Sequence, residues 1–274
     1  MDRPEHSGPA ALYYNQKEAD KYSNNIHMIE VQSKMTERAL QLIGVTDSNG
    51  IILDIGCGSG ISGSVLTDNG YYWVGIDISQ SMLDIANSRD LEGDLMCGDI
   101  GQGLPFRPGM FDYAVSISAI QWLCTAEKTA HNPYKRLHAF FQSLFSVLTR
   151  GAKCAFQFYP EGTQQIELIS NAAMKCGFNV GLIVDYPNSS KARKYYLYMV
   201  AGWSAEGSLI PNALTEYDEE EEDVRSSLIH KQIKKWKPHS KSKDWIKQKK
   251  DVQRMKGMDV KQDSKYTGRR RHNK

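Results

Sequence analysis

The sequence predicts an α/β fold built on a mostly parallel, seven-stranded sheet with helices on both faces. An apolar run, Ile51–Ile55, leads into three closely spaced glycines and then a helix-forming stretch, which is the pattern of a buried parallel strand, a tight loop and a helix. Further apolar and amphipathic segments alternate along the chain. Within residues 178–200 two strands follow each other without a helix between them, which predicts a C-terminal antiparallel hairpin with a long basic loop.

The loop after the first strand reads Asp54-x-Gly56-x-Gly58-x-Gly60. Glycines at this spacing let the backbone approach a ligand closely, and open α/β sheets bind ligands at the carboxyl ends of their strands. The dinucleotide pattern G-x-G-x-x-G is not met, because Ile61 stands three residues after Gly58, and no lysine follows as a phosphate loop requires. The loop therefore favours an uncharged nucleoside or amino-acid moiety. A glycine turn that only tightens strand–helix packing stays an alternative.

Two further acids stand at the ends of predicted strands. Asp77 closes the second strand, 21 residues after Gly56, where a carboxylate can accept hydrogen bonds from both ribose hydroxyls. Asp99 follows the third strand, where it can be a simple turn residue. Together with Asp54, three acids at three successive strand ends indicate a nucleoside ligand.

The charge of the chain is divided unevenly. Residues 225–274 hold 18 Lys and Arg against 4 Asp and Glu, a net charge of +14, so residues 1–224 carry −12. Basic side chains with isolated Trp236 and Trp245 are the residue types that bind and stack on RNA. A cluster of three arginines can instead serve nuclear import, and a solvated tail is the remaining alternative. The cluster consists of Arg269, Arg270 and Arg271.

Composition also limits the class of protein. The five cysteines are scattered and lack C-x-x-C spacing, which favours reduced, buried thiols in an intracellular protein over a zinc site or a disulfide framework. No apolar run approaches the roughly 18 residues of a membrane span, and the amino terminus has no apolar signal core. We therefore expect no membrane association and no bound metal.

The glycine motif resembles motif I of the class I S-adenosylmethionine (SAM) methyltransferases. Beyond that motif, several stretches resemble the eukaryotic 18S ribosomal RNA guanine-N7 methyltransferases nearly end to end. These stretches are Tyr13–Asn15, Lys21-Tyr22, Leu53–Gly60, Gly75–Ser79, Ser116–Cys124 and Tyr266–Arg271. The resemblance implies a class I methyltransferase Rossmann-like fold with a basic C-terminal extension, and methylation of N7 of a guanosine in 18S rRNA.

The resemblance also implies roles for individual residues. Ser118, Gln121 and Trp122 would position the substrate, with no general base, because guanine N7 already carries an exposed lone pair. Ordinary core packing is the alternative for Trp122, and helix packing is the alternative for the two tyrosines in the cofactor set. The implied cofactor residues are Tyr14, Tyr22, Asp54, Gly56, Cys57, Gly58, Gly60, Asp77, Ile78, Asp99 and Ile100.

A partner is implied as well, namely the small zinc-binding activator protein that stabilises several eukaryotic methyltransferases. In this fold the third strand, Asp94–Cys97, lies at the sheet edge, where a partner strand can pair with it near Leu95 and Met96. The other implied partner is 18S rRNA in the pre-40S particle, in the nucleus.

The expected domain boundaries follow from composition and motifs. They are an N-terminal helical cap at 1–45, a methyltransferase domain at 46–210, an acidic linker at 211–224 and the basic tail at 225–274. The alternative functions are methylation of tRNA or of a small molecule, and a mainly non-catalytic role in ribosome assembly. A dinucleotide oxidoreductase is disfavoured by Asp54 and Ile61.

Overall fold

A computed structural model describes residues 4–46, 50–89, 91–125, 132–202 and 210–215, together with residue 250. The chain divides between Thr215 and Glu216, and the fold given below is that of the first unit. The predicted acidic linker beyond Thr215 and nearly all of the basic tail lie outside the described residues.

Seven strands form one sheet in the order β3-β2-β1-β4-β5-β7-β6. Neighbouring strands run parallel except for β7, which is antiparallel to both β5 and β6. The predicted parallel sheet with a terminal antiparallel hairpin is therefore confirmed. The strands are β1 Ile51–Ile55, β2 Tyr72–Asp77, β3 Asp94–Cys97, β4 Phe111–Ile117, β5 Leu148–Phe158, β6 Phe178–Asp185 and β7 Lys194–Ala201.

Helices lie on both faces of the sheet, as predicted. Asn or Ser side chains cap the amino ends of several helices: Asn15, Asn25, Ser79 and Asn132 each accept a hydrogen bond from a backbone N–H of the first turn. The helices are α1 Ala10–Tyr13, α2 Gln16–Ser23, α3 Ile26–Ile43, α4 Ile61–Asp68, α5 Gln80–Ser88, α6 Pro133–Val147 and α7 Thr163–Lys175.

Two apolar clusters hold these layers together. On one face, α6 and α7 pack their aromatic and aliphatic side chains on the sheet, with Phe140, Phe141 and Phe156 fully buried. On the other face, α3 and α4 cover the sheet around Ile52 and Tyr196. The central strands are buried on both faces, which explains their continuous apolar runs in the sequence.

The sheet geometry decides where a ligand can lie. Strands β1 to β5 and β6 all point the same way, so their carboxyl ends meet along one edge, which we call the site edge. The loops after β1, β2, β3 and β4 all lie there. The order of the strands reverses between β1 and β4, and ligands bind at such a point in open α/β sheets.

Among the helices of the described residues, none has the length and apolar character that crossing a bilayer requires. In the same part of the chain, no cluster of three or more His, Cys, Asp and Glu side chains is arranged to hold a metal ion. The five cysteines are free.

Candidate active site

A cavity opens at the site edge, between the loops after β1, β2, β3 and β4. Its volume of about 120 Å³ is far more than the roughly 10–15 Å³ that one water molecule needs, so it has room for a larger ligand. Eleven of the residues predicted to bind cofactor or substrate line it. They are Tyr14, Tyr22, Gly56, Cys57, Gly58, Asp77, Ile78, Asp99, Ile100, Ser118 and Trp122.

The glycine loop forms one wall of the cavity in a conformation that favours glycine. Gly56, Gly58 and Gly60 have φ angles of 71°, 52° and 79°, in the left-handed region that L side chains rarely adopt. A Cβ atom on Gly56 would also lie 2.3 Å from the Cβ atom of Ala119, which lines the same cavity. The loop therefore brings backbone, rather than side chains, up to the ligand.

Asp77 lies at the end of β2 and holds the glycine loop in place. Its Oδ2 accepts a hydrogen bond from the Gly58 backbone N–H at 2.9 Å, and its Oδ1 accepts one from the Ser79 N–H at 2.8 Å. Burial raises the pKa of this carboxyl, and the backbone N–H groups of Ser79, Gly58 and Ile78 act in the opposite direction. Each carboxylate oxygen keeps a further lone pair for a ligand hydroxyl.

Asp99 is fixed by an arginine that the sequence did not single out. The Arg136 guanidinium on α6 donates to Asp99 Oδ1 at 2.7 Å, and the Gly101 backbone N–H donates to the same oxygen at 2.9 Å. Both side chains are largely buried, and both residues line the cavity. The orientation of Asp99 is thus set before any ligand arrives.

Three predicted site residues do not line the cavity. Gly60 packs against Ala86 on α5 at the start of α4, so it serves the packing of loop on helix. Gln121 is 4% exposed, donates to the Ser118 carbonyl at 3.0 Å and does not line the cavity, so its binding of a guanine edge stays a prediction. Asp54 is fully buried and accepts from the Ser62 hydroxyl at 2.6 Å. The prediction that Asp54 contacts the cofactor directly is therefore not supported.

Asp54 nevertheless affects the electrostatics of the site. Burial raises its pKa to about 7, against a smaller lowering by the hydrogen bond from Ser62. Its Oδ1 and the hydroxyl of Ser59, which lines the cavity, are both buried without a hydrogen-bond partner among the described residues. Such atoms call for a polar group beyond those that the described residues supply.

Aromatic rings close the cavity on its amino-terminal side. Within the predicted helical cap, we give the name N-terminal cap to residues 4–23 alone. Its Tyr14 ring lies 5.7 Å from the Trp122 ring and 5.9 Å from the Tyr22 ring. The Ser79 hydroxyl donates to the Tyr14 carbonyl at 2.8 Å, which ties the cap to the helix beside Asp77. Trp122 is 9% exposed, so it serves both the core and the cavity wall.

At the end of β4, Ser118 has a φ angle of 58°, which is uncommon for a residue other than glycine. Its hydroxyl donates to Gln157 Oε1 at 2.7 Å and accepts from Gln32 Nε2 at 3.4 Å. Backbone strain of this kind persists only where the surroundings hold it, and it clusters at functional sites. Ser118 is therefore held in a fixed orientation at the cavity wall.

Sequence reasoning missed several lining residues. Gln32, Met82 and Arg136 come from helices whose faces toward the cavity depend on packing between distant segments. The sequence held one signal for Arg136, because this charged residue stands on a helix face that is otherwise apolar and that is buried in the fold.

The remaining predicted residues lie away from the cavity or beyond the part of the chain that the structure describes. Leu95 and Met96 are half-buried on β3, and the predicted position of this strand at the sheet edge is confirmed. The tail residues predicted to contact RNA or to direct nuclear import all lie outside the described residues, so their roles stay predictions. They are Trp236, Trp245, Arg269, Arg270 and Arg271.

Comparison with known proteins decides the family. A family model described as "Methyltransferase domain" matches residues 53–156, and one described as "Methyltransferase involved in Williams-Beuren syndrome" matches residues 199–273. The Dictyostelium discoideum "Probable 18S rRNA (guanine-N(7))-methyltransferase" is 51% identical and aligns over 99% of both chains. The Mus musculus 18S rRNA (guanine-N(7))-methyltransferase is 48% identical over 98% of this chain and 96% of its own. This chain belongs to the 18S rRNA (guanine-N7)-methyltransferase family.

Solved structures with the same fold are more distant. Haemonchus contortus phosphoethanolamine N-methyltransferase 2 in complex with S-adenosyl-L-methionine matches with a TM-score of 0.54 and 16% identity, over 74% of this chain and 61% of that one. A methyltransferase in complex with the Haloferax volcanii Trm112 methyltransferase activator matches with a TM-score of 0.51 and 18% identity, over 69% and 97%. At these identities the matches establish the class I fold alone.

Proposed function

We propose that this chain transfers a methyl group from SAM to N7 of a guanosine in 18S rRNA. The observation that carries the proposal is the cavity at the site edge. It brings the glycine loop together with Asp77 and Asp99 in a chain whose full-length relatives are named for this reaction.

The residues present fit the cofactor. The loop at Gly56 leaves no room for a side chain, so a ligand can lie along its backbone, and Ser59, whose hydroxyl has no partner among the described residues, also lines the cavity. Asp77 would accept from the ribose hydroxyls, and Asp99, oriented by Arg136, would accept from the adenine amine. When bound, SAM supplies a methyl group on a positively charged sulfur.

The chain's own contribution to the reaction is orientation and the exclusion of water. Guanine N7 carries its lone pair in the plane of the base, so no side chain has to remove a proton. Tyr14, Tyr22 and Trp122 keep bulk water from the cavity, which strengthens the electrostatic interactions inside it. Ser118, at the end of β4, is fixed where a substrate base would approach. Holding both reactants at close distance replaces acid–base catalysis.

The proposal is tested with labelled SAM and 18S rRNA. Wild-type protein should form 7-methylguanosine, detected by mass spectrometry of the digested RNA. Asp77→Lys should lose SAM binding in calorimetry and lose the product, because it removes the ribose acceptor and places a cation in its position. Asp84→Lys, on the exposed face of α5, is the matched control. Label that appears only in tRNA or in a small molecule would overturn the assignment.

A non-catalytic role in ribosome assembly can be separated from catalysis with the same variant. If the Asp77→Lys protein still supports 40S maturation while methylation is lost, physical presence and catalysis are two separate contributions.

We further propose that a small zinc-binding activator protein pairs with β3. This strand has four residues and pairs only with β2 among the described strands, so its outer backbone groups can receive another strand. Leu95 and Met96 are half-buried on opposite faces of the sheet, where a partner can flank them. Leu95→Lys with Met96→Lys should abolish co-purification, whereas Leu182→Lys on β6 at the other edge should not. SAM binding must persist in both, and unchanged co-purification would refute the edge assignment.

The tail and the location of the protein are also proposals. We propose that residues 225–274 bind rRNA and direct the protein to the nucleus, on the strength of their net charge of +14. Replacing Arg269, Arg270 and Arg271 with glutamine should shift a fluorescent fusion toward the cytoplasm. Trp236→Ala with Trp245→Ala should weaken RNA binding with little change in its salt dependence, since stacking releases no counterions. Wild-type behaviour of these variants would contradict the respective roles.

A further inference from the structure

The loop between β6 and β7 is a basic feature of the site edge that the proposed function leaves without a role. We propose that this loop receives phosphates of the RNA strand next to the methylated guanosine, through Lys191, Arg193 and Lys194. The inference rests on the proposed function, because it assigns a further RNA contact to the same site.

The sheet places these three residues at the same edge as the cavity. Lys194 begins β7 and pairs with Asp185, the last residue of β6, so the loop lies at the site edge. Lys194 Nζ sits 5.9 Å from the centre of the Tyr159 ring, just past the end of β5. Two residues before Tyr159, Gln157 accepts a hydrogen bond from the Ser118 hydroxyl in the cavity wall.

The charges of the loop are not neutralised by the part of the fold described. None of the three cations forms an ion pair with a carboxylate there, although residues 1–224 carry a net charge of −12. Lys194 is half-buried, and its ammonium group donates to the Ala192 and Arg193 carbonyls at 3.0 and 3.5 Å. An ammonium has three donors, so one is left for an anion. Burial lowers the pKa of Lys194, and a nearby phosphate would favour its charged form.

The loop is also held in shape before RNA binds. The Arg193 N–H donates to the Ser189 carbonyl at 3.0 Å, and the Ala192 N–H donates to the Ser189 hydroxyl at 3.1 Å. The Arg193 guanidinium donates to the Pro187 carbonyl, while its Nε is buried without a partner among the described residues. A preformed loop loses less entropy on binding than a flexible one. An acidic body with an ordered basic loop at the site edge suits a polyanion whose strand runs along that edge.

The test compares a triple variant with a control. The triple variant carries Lys191→Gln, Arg193→Gln and Lys194→Gln in one chain. Lys175→Gln is that control, because Lys175 Nζ also lies over a tyrosine ring, 5.3 Å from the centre of the Tyr134 ring. Lys175 ends α7, next to the start of β6, so it lies away from the site edge. Both are made in the full-length chain under the conditions in which wild-type protein methylates 18S rRNA.

We expect the triple variant to raise KM for RNA about tenfold, with kcat and SAM affinity unchanged. The slope of log kcat/KM against log salt should fall by about 1 to 2, since each phosphate contact on single-stranded RNA contributes roughly 0.7. The control should match wild type. A triple variant with wild-type RNA KM and salt slope, or a loss equally present in Lys175→Gln, would overturn the inference. Failure of wild-type protein to methylate RNA would instead refute the proposed function.

Discussion

Neutralising Asp185 should destabilise this protein more than any other single charge removal at its described ion pairs. Asp185 accepts from Arg38 Nε at 2.9 Å and Nη2 at 3.2 Å, and from the Leu214 backbone N–H at 2.8 Å. The Asp185 and Arg38 side chains are 2% and 14% exposed. Asp185→Asn keeps the shape but leaves the guanidinium without its counter-charge and turns an amide N–H₂ group toward it.

Removing one partner of a buried ion pair costs about 3–5 kcal/mol, so we expect the free energy of unfolding to fall by about 3 kcal/mol. At roughly 2–4 °C per kcal/mol for a domain of this size, Tm falls by roughly 6–12 °C. Urea unfolding followed by circular dichroism measures the loss, with an unchanged m value as the check on two-state behaviour.

The control is Glu18→Gln at the exposed Lys21–Glu18 pair, whose side chains are 75% and 32% exposed for Lys21 and Glu18. This change should cost less than about 1 kcal/mol. Raising the salt concentration should weaken the exposed pair more than the Arg38–Asp185 pair, because buried charges are screened less. If Asp185→Asn costs no more than Glu18→Gln, the reasoning from burial fails.

Three further predictions concern the site. Gly56→Ala should raise the Kd for SAM at least about tenfold in calorimetry, because the added Cβ atom would lie too close to the cavity wall. Gly109→Ala should leave the Kd unchanged, because Gly109 has a similar φ angle but open space around it. Since burial raises the pKa of Asp54 to about 7, the native state keeps a proton that the unfolded chain has lost. The free energy of unfolding should thus fall as pH rises from about 4 to about 7, and Asp54→Asn should make that fall smaller in urea titrations. Arg136→Met should raise KM for SAM about tenfold with RNA KM unchanged, while Lys135→Met should change neither; equal effects of the two would contradict the role of Arg136.

The sequence predicted the elements of this fold well because its signals are local. The apolar run Ile51–Ile55 and the hairpin without a helix each depend on neighbouring residues, and both appear in the structure. Asp77 could be placed for the same reason, since its distance from Gly56 along the chain is fixed by one helix and one strand.

The sequence did not show which side chains would reach the cavity, because that depends on how the backbone turns and on contacts made only in the fold. Gln121 and Trp122 are adjacent in the sequence, yet only Trp122 lines the cavity, because a short 3₁₀ helix turns the two side chains in different directions. Nothing within reach of Asp99 in the sequence indicated that Arg136, 37 residues later, would orient it. The resemblance to SAM methyltransferases implied that Asp54 binds the cofactor, but the depth of its side chain depends on Ser62 and the helix above it.

The way the N-terminal cap is fastened has a consequence for turnover. Its described links to the rest of the fold include the Ser79–Tyr14 hydrogen bond, the Arg89 contact with the Ser23 carbonyl at 3.3 Å and the exposed His6–Glu161 pair at 2.7 Å. Each of these polar links has to break before this segment can lift away from the cavity that it lines. Exchange of the demethylated product for a new SAM molecule would then depend on how often this segment lifts away. Weakening one of the links would speed product release without changing the residues that hold the reactants.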